Sequence, residues 1–185
     1  DDEIALPELM QFHVGKTLKG PDRSTLPAAM RAIPRIDPKT ATKTRRIVLD
    51  RRKMADGSVM LQLNGKSWND PIEEKQKLGA TEIWEVTNTL IDTHPFHIHL
   101  IQFQVLDRRL FDVAEFLKSG QMVYLAPAAP PAPNEMGWKD TIKASPQMVT
   151  RIIIRFSPFP GYYVYHCHIL EHEDMDMMRP FQITN

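Results

Sequence analysis

Hydrophobic and polar positions alternate with a period of two over much of the chain, and that period predicts strands. Thr81–Asn88 (TEIWEVTN) alternates with Ile83 on the face opposite Trp84. Val149–Phe156 (VTRIIIRF) is β-branched nearly throughout, as expected of a central strand covered on both faces. Arg45–Leu49 and Val59–Leu63 read as strands, with Ala55-Asp56-Gly57-Ser58 turning the chain between them. Asn64-Gly65 is another turn signal. His97–Leu106, Gly161–His168 and Arg179–Thr184 complete the predicted set, the last as a closing strand. Helical signal is scarce. Phe111–Ser119 can hold one short helix and Ile169–Met178 another. Residues 125–133 (LAPAAPPAP) carry too much proline for a sheet interior and predict a rigid exposed loop. Many short strands separated by turn residues predict an all-β antiparallel sandwich or barrel.

The N-terminal portion has a different texture. Residues 1–16 hold a short alternation, with Met10, Phe12 and Val14 on one face and Gln11 and His13 on the other. A lone strand cannot satisfy its backbone, so this segment is expected to pair with a sheet outside the chain, as part of a preceding domain. Residues 17–43, with Pro21, Pro27, Pro34 and Pro38, read as a proline-rich linker. The main domain is expected over 44–185.

Composition adds exclusions. Hydrophobic residues make up 42% and charged residues 25%, an ordinary balance for a packed core. The formal net charge of +0 favours neither nucleic acid nor an anionic membrane surface. No apolar run is long enough for a membrane span. Asp1-Asp2-Glu3 gives no secretory signal at the start. The single cysteine, Cys167, rules out an internal disulfide.

Two motifs carry the chemistry. In His94-Pro95-Phe96-His97-Ile98-His99, an extended backbone sends His97 and His99 to one face while His94 points elsewhere. One segment can then serve two sites, although imidazole alone suits copper, zinc, iron and nickel alike. In His166-Cys167-His168-Ile169-Leu170-Glu171-His172, alternation puts Cys167 on one side of a strand and His166 and His168 on the other. A lone cysteine is more often an inert small hydrophobe, and methionines such as Met177 and Met178 more often fill a core. The flanking histidines weigh against both readings. Two imidazoles, a thiolate and a weak axial thioether form a blue-copper set, and His94, Cys167, His172 and Met177 supply it. His172, following a turn, can fold back to the Cys167 side.

Together, HPFHIH and HCHILEHEDMDMM resemble the multicopper oxidases, in particular bacterial spore-coat laccases and bilirubin-oxidase-like relatives. Supporting stretches are NGKSWNDP (64–71), TEIWEVTN (81–88), FQVLDRR (103–109) and GWKDTI (137–142). The resemblance implies a cupredoxin-like Greek-key β-sandwich with one or two short helices. It implies copper as cofactor: His94, Cys167 and His172 on type 1 copper with Met177 axial, His97 on type 2 copper, and His99, His166 and His168 on type 3 coppers. Glu173 matches an acidic residue that aids proton delivery to the trinuclear cluster, against the alternative of an exposed turn carboxylate. The remaining cluster ligands come, in the family, from two HxH motifs of an N-terminal domain. This sequence lacks those motifs, and its other histidine is His13. The resemblance therefore implies the C-terminal part of an oxidase, cleaved, split or otherwise separated from N-terminal cupredoxin domains as partners. It implies a small aromatic reductant and dioxygen as substrates, and a spore-coat, extracellular or envelope location. A mononuclear electron-transfer domain and a zinc or copper store are the competing readings. Trp138 and the proline-rich loop are candidates for a substrate rim, with Trp138 more readily read as packed core. Asp140 and Asp107 are candidates to orient ligand histidines, with surface or turn roles the plainer reading.

Overall fold

The computed structural model describes residues 10–15, 20–29 and 31–185. The chain divides into two compact units, Asp1–Ala32 and Ile33–Asn185. In the first, the described residues carry no strand or helix and are exposed. Met10, Phe12 and Val14 are among the exposed apolar side chains. The rest of the expected first strand lies outside the described residues.

The second unit is a cupredoxin-like β-sandwich of two five-stranded sheets. One sheet has the order β2 (Val59–Leu63), β1 (Lys43–Lys53), β4 (Thr81–Asn88), β8 (Met148–Arg155), β6 (Phe103–Leu110). The other has the order β3 (Lys75–Lys77), β10 (Met178–Thr184), β9 (Gly161–Cys167), β5 (His94–Ile98), β7 (Thr141–Ala144). Most neighbours are antiparallel, but β1 runs parallel to β4 and β10 parallel to β3.

Side-chain alternation fills the space between the sheets. Ile47 and Leu49 of β1, Trp84 and Val86 of β4, Phe96 and Ile98 of β5, Tyr165 and Cys167 of β9, and Phe181 of β10 are fully buried in one core. Trp84 is its centre, edge-on to Tyr165 and Phe181 at ring separations of 5.3 and 6.3 Å. β8 sits inside its sheet, and Ile152, Ile153 and Ile154 are all buried, so both of its faces are covered as its sequence predicts.

Several boundaries differ from the sequence reading. The expected run His97–Leu106 divides, because the chain leaves one sheet after Ile98 and joins the other at Phe103, with Leu100 at a φ of 68° in the crossing. β3 and β7 are only three and four residues long, too short for a period to stand out, which hid them. Helix α1 (Val113–Ser119) forms as expected. The Asp112 carboxylate caps its start by accepting from the Glu115 N–H, and Gly120 ends it in the left-handed region. Helix α2 covers only Leu170–Asp174. Asp176 has a φ of 87° and reverses the chain into β10, so Met178 is a strand residue, not the end of a helix. Residues 33–42, read as linker, lie within the second unit. Arg35 donates to the Val105 carbonyl at 2.6 Å, and Gln104 donates to the Pro34 carbonyl and accepts from the Ile36 N–H.

Candidate metal centres

β9 lies between β5 and β10, and this order brings the two motifs together. In the antiparallel pairing of β5 with β9, Phe96 stands opposite Cys167 and His97 opposite His166. Even positions of β5 face the core and odd positions face outward. His94 is therefore on the Cys167 side, while His97 continues the face of His166.

On the inner side, His94 Nδ1 lies 3.3 Å from Cys167 Sγ, His172 Nδ1 lies 3.7 Å from the same sulfur, and the two nitrogens are 3.3 Å apart. Trigonal ligands held at about 2.0 Å (nitrogen) and about 2.3 Å (sulfur) from one ion stand roughly 3.5–3.8 Å from one another. The observed triangle is close to that size, so the three donors fit a single transition-metal ion. His94 and Cys167 are fully buried and His172 is half-buried. Burial pushes the Cys167 thiol up to about 11, so an ion bound there must displace its proton. Burial, with His172 nearby, also lowers His94, partly opposed by Asp92, which keeps the ring in the neutral form that binds metal.

Met177 is buried in the same core. The Cys167 N–H donates to its carbonyl at 3.1 Å, and its own N–H donates to the His172 carbonyl at 2.9 Å. Since Met178 pairs with His166, alternation puts Met177 on the Cys167 face and Met178 on the other. A buried arginine fixes this segment. Arg179 donates to the carbonyls of Ser67, Trp68 (3.3 Å), Asp70 (3.1 Å) and Pro71 (2.8 Å). The Trp68 N–H donates to the Asp176 carboxylate at 2.6 Å. The NGKSWNDP stretch thus acts as a brace under Asp176–Arg179.

On the outer side, the donor atoms of His97, His99 and His166 lie within 4.8 Å of one another, with His99 Nε2 3.2 Å from His166 Nε2. The His168 ring is close, its centroid 5.4 Å from that of His166 and 5.7 Å from that of His97. Each of two rings has a fixed second nitrogen. His97 Nδ1 meets the Asp140 carbonyl and Thr141 Oγ1, both at 2.9 Å. His166 Nδ1 meets the Cys167 carbonyl at 3.1 Å and Glu173 Oε2 at 3.2 Å. Such contacts set tautomer and ring orientation. Burial chiefly lowers His99 and His166, and neighbouring histidines add to this. Glu173 also lines a groove of about 660 Å³ along α2 with Trp68, Glu171, Asp174 and Asp176.

Of the orienting candidates, Asp140 acts on His97 through its backbone carbonyl. Asp107 instead pairs with Arg151. Trp138 is not packed core; it is half-exposed beside Leu100, Ile101 and Arg155. One residue escaped the sequence reading. Asp92 Oδ2 lies 3.5 Å from His94 Nε2, which is buried and has no hydrogen-bond partner of good geometry. Its position two before His94, on the same side of an extended chain, was the available signal. Asp92 borders a cavity of about 340 Å³ lined by Asp50, Arg51, Val59, Leu61, Thr89, Leu90, Ile91 and Leu117. Neither Trp138 nor residues 125–133 reach it.

Comparison with known proteins places the sequence and fold in a family. Residues 35–185 match the multicopper oxidase family. The chain belongs to the multicopper oxidases. It is 47% identical to a laccase of Bacillus subtilis (strain 168) over 177 residues, 96% of this chain and 34% of the relative. It is 45% identical to a laccase of Bacillus stratosphericus, over 95% of this chain and 34% of that one. Among solved structures, the McoA multicopper oxidase of the hyperthermophile Aquifex aeolicus superimposes with a TM-score of 0.68 at 29% identity, covering 87% of this chain and 33% of that one. A laccase of Pediococcus acidilactici gives 0.63 at 35% identity, covering 89% and 32%. This multicopper oxidase chain thus spans about a third of the length of these relatives.

Proposed function

We propose that this chain is the C-terminal part of a laccase-type oxidase, with a type 1 copper centre at His94, Cys167 and His172 and with Met177 as the axial thioether. The convergence of two imidazole nitrogens and a thiol sulfur within 3.3–3.7 Å carries the reading. Soft thiolate with imidazole favours copper or zinc over magnesium or calcium, and two imidazoles with one thiolate and a weak axial thioether make a blue-copper set. In the same reading His97 is a type 2 ligand, and His99, His166 and His168 are type 3 ligands. Bound at these sites, copper would supply one-electron oxidation of a phenolic or related aromatic donor and four-electron reduction of dioxygen to water.

The protein's own contribution is positioning. Cys167 lies between His166 and His168 in the sequence, so a few covalent bonds join the inner donors to the outer ones. The Thr141 hydroxyl and Asp140 carbonyl hold His97, and Glu173 holds His166. Glu173 borders an open groove, and its carboxylate is the group that relays protons between solvent and the outer histidines. The cavity beside Asp92 receives the donor, because its wall is one carboxylate away from His94. N-terminal cupredoxin domains complete the outer cluster. A spore-coat or envelope location follows the resemblance to Bacillus laccases.

Copper titration tests the reading. The chain should take up copper with intense blue absorption, and oxygen uptake with a phenolic donor should require the N-terminal cupredoxin domains as well. A copper(II) complex that stays colourless after oxidation would refute the inner site. Blue colour with no oxygen uptake after those domains are supplied would favour a mononuclear electron-transfer role.

A further inference from the structure

The cavity beside Asp92 has an unusual wall for a site that receives neutral phenols. Val59, Leu61, Leu90, Ile91 and Leu117 give it apolar sides, and its charged lining is Asp50, Arg51 and Asp92. Arg51 is an exposed side chain, free to carry its guanidinium out into water. Asp50 is held in the wall, half-buried, with Oδ1 lacking any partner. The Asp92 side chain is 55% exposed, and its Oδ2 lies against the unpartnered, fully buried Nε2 of His94. Near neutral pH and above, where Asp50 (raised to about 6 by burial) is ionised alongside Asp92, the apolar slot between the two carboxylates attracts an aromatic ring bearing a positive charge and repels one bearing a negative charge. Among the described residues lining the cavity, Arg51 is the one lysine or arginine.

We propose that Asp92 makes this cavity selective for cationic aromatic donors: rings that carry an ammonium group apart from the hydroxyl or amine that gives up the electron. The assignment rests on the oxidase reading above and narrows its substrate class. Asp92 is the specificity-determining residue, since it is the carboxylate beside a metal-ligating ring. Asp50 adds to the negative field from the far wall.

Two redox-inert probes, benzyltrimethylammonium and benzenesulfonate, test this by calorimetric binding to the copper-free and copper-loaded chain. The cation should bind and the anion should not. Asp92→Asn should weaken the cation about five- to tenfold, the effect of one partly solvated charge at a few ångström, and should not weaken the anion. In the complete oxidase, the same change should raise KM for 4-(2-aminoethyl)phenol by a similar factor, leave KM for 4-hydroxybenzenesulfonate unchanged or lower, and keep the blue colour. Asp50→Asn should shift the ratio of the two probes in the same direction by less. Equal affinity of the two probes, or an unaltered ratio in Asp92→Asn, would overturn the selectivity while blue colour upheld the copper reading. Loss of blue colour in the unmodified protein would sink the copper reading itself, and the binding ratio in the copper-free chain would remain a separate result.

Discussion

The two donor clusters of this domain share strands yet differ in kind. The inner one, His94, Cys167 and His172, closes on itself within one chain: its donors converge to a triangle, and two of the three residues are fully buried. The outer one, His97, His99, His166 and His168, is an array on a face, with His99 and His168 exposed. A pleated strand explains the division. Neighbouring residues point to opposite faces, so a single residue step moves a side chain from the sandwich interior to its exterior. The dry interior disfavours a free thiolate, so the Cys167 sulfur ionises there only with a bound ion. The exterior supplies a surface on which further ligands can be brought.

The sharpest way to break this contrast is Cys167→Ser. It should abolish blue absorption on copper loading and all oxidase activity, because a hydroxyl does not replace the thiolate; a blue variant would remove the inner site altogether. His166→Ala tests the opposite face. Blue absorption should persist while oxygen uptake in the completed oxidase falls by more than about 100-fold, beyond the usual cost of losing an outer partner of a ligand. Loss of both properties together would deny that the clusters are separable. Arg179→Ala probes the brace under Met177. Leaving several carbonyls without their donor should cost about 3 kcal/mol in denaturant unfolding, and a change below about 0.5 kcal/mol would show that the loop 67–71 holds itself. The smallest effect is expected from Met177→Leu, which should keep the colour and raise the reduction potential, since the axial thioether tunes the site without defining it. An unchanged potential, read by redox titration, would assign the axial position elsewhere.

The motifs made the site unusually readable. His94, Cys167 and His172 could be grouped from residue type and strand parity, and the structure brings those atoms within bonding reach of one ion. What parity could not supply was depth. Trp138, read as core, stands half-exposed on a connection. Met178, read as helix, begins β10, because a left-handed turn at Asp176 and the buried Arg179 outweigh the local helical preference of residues 170–174. Asp92 went unnoticed because a single acid before a histidine is common in loops. Only folding brings it against Nε2 and beside a cavity formed by residues from β1, β2 and α1.

Local covalent order decided which side chains share a face, since the backbone's two-residue period is built into every strand. The sequence alone therefore determined that sulfur and flanking imidazoles must part company. The tertiary structure decided which strands lie side by side, placing β9 between β5 and β10. That order depends on packing around Trp84 and on long-range pairing, which no local pattern encodes. It alone makes one triangle of donors from residues 94, 167 and 172.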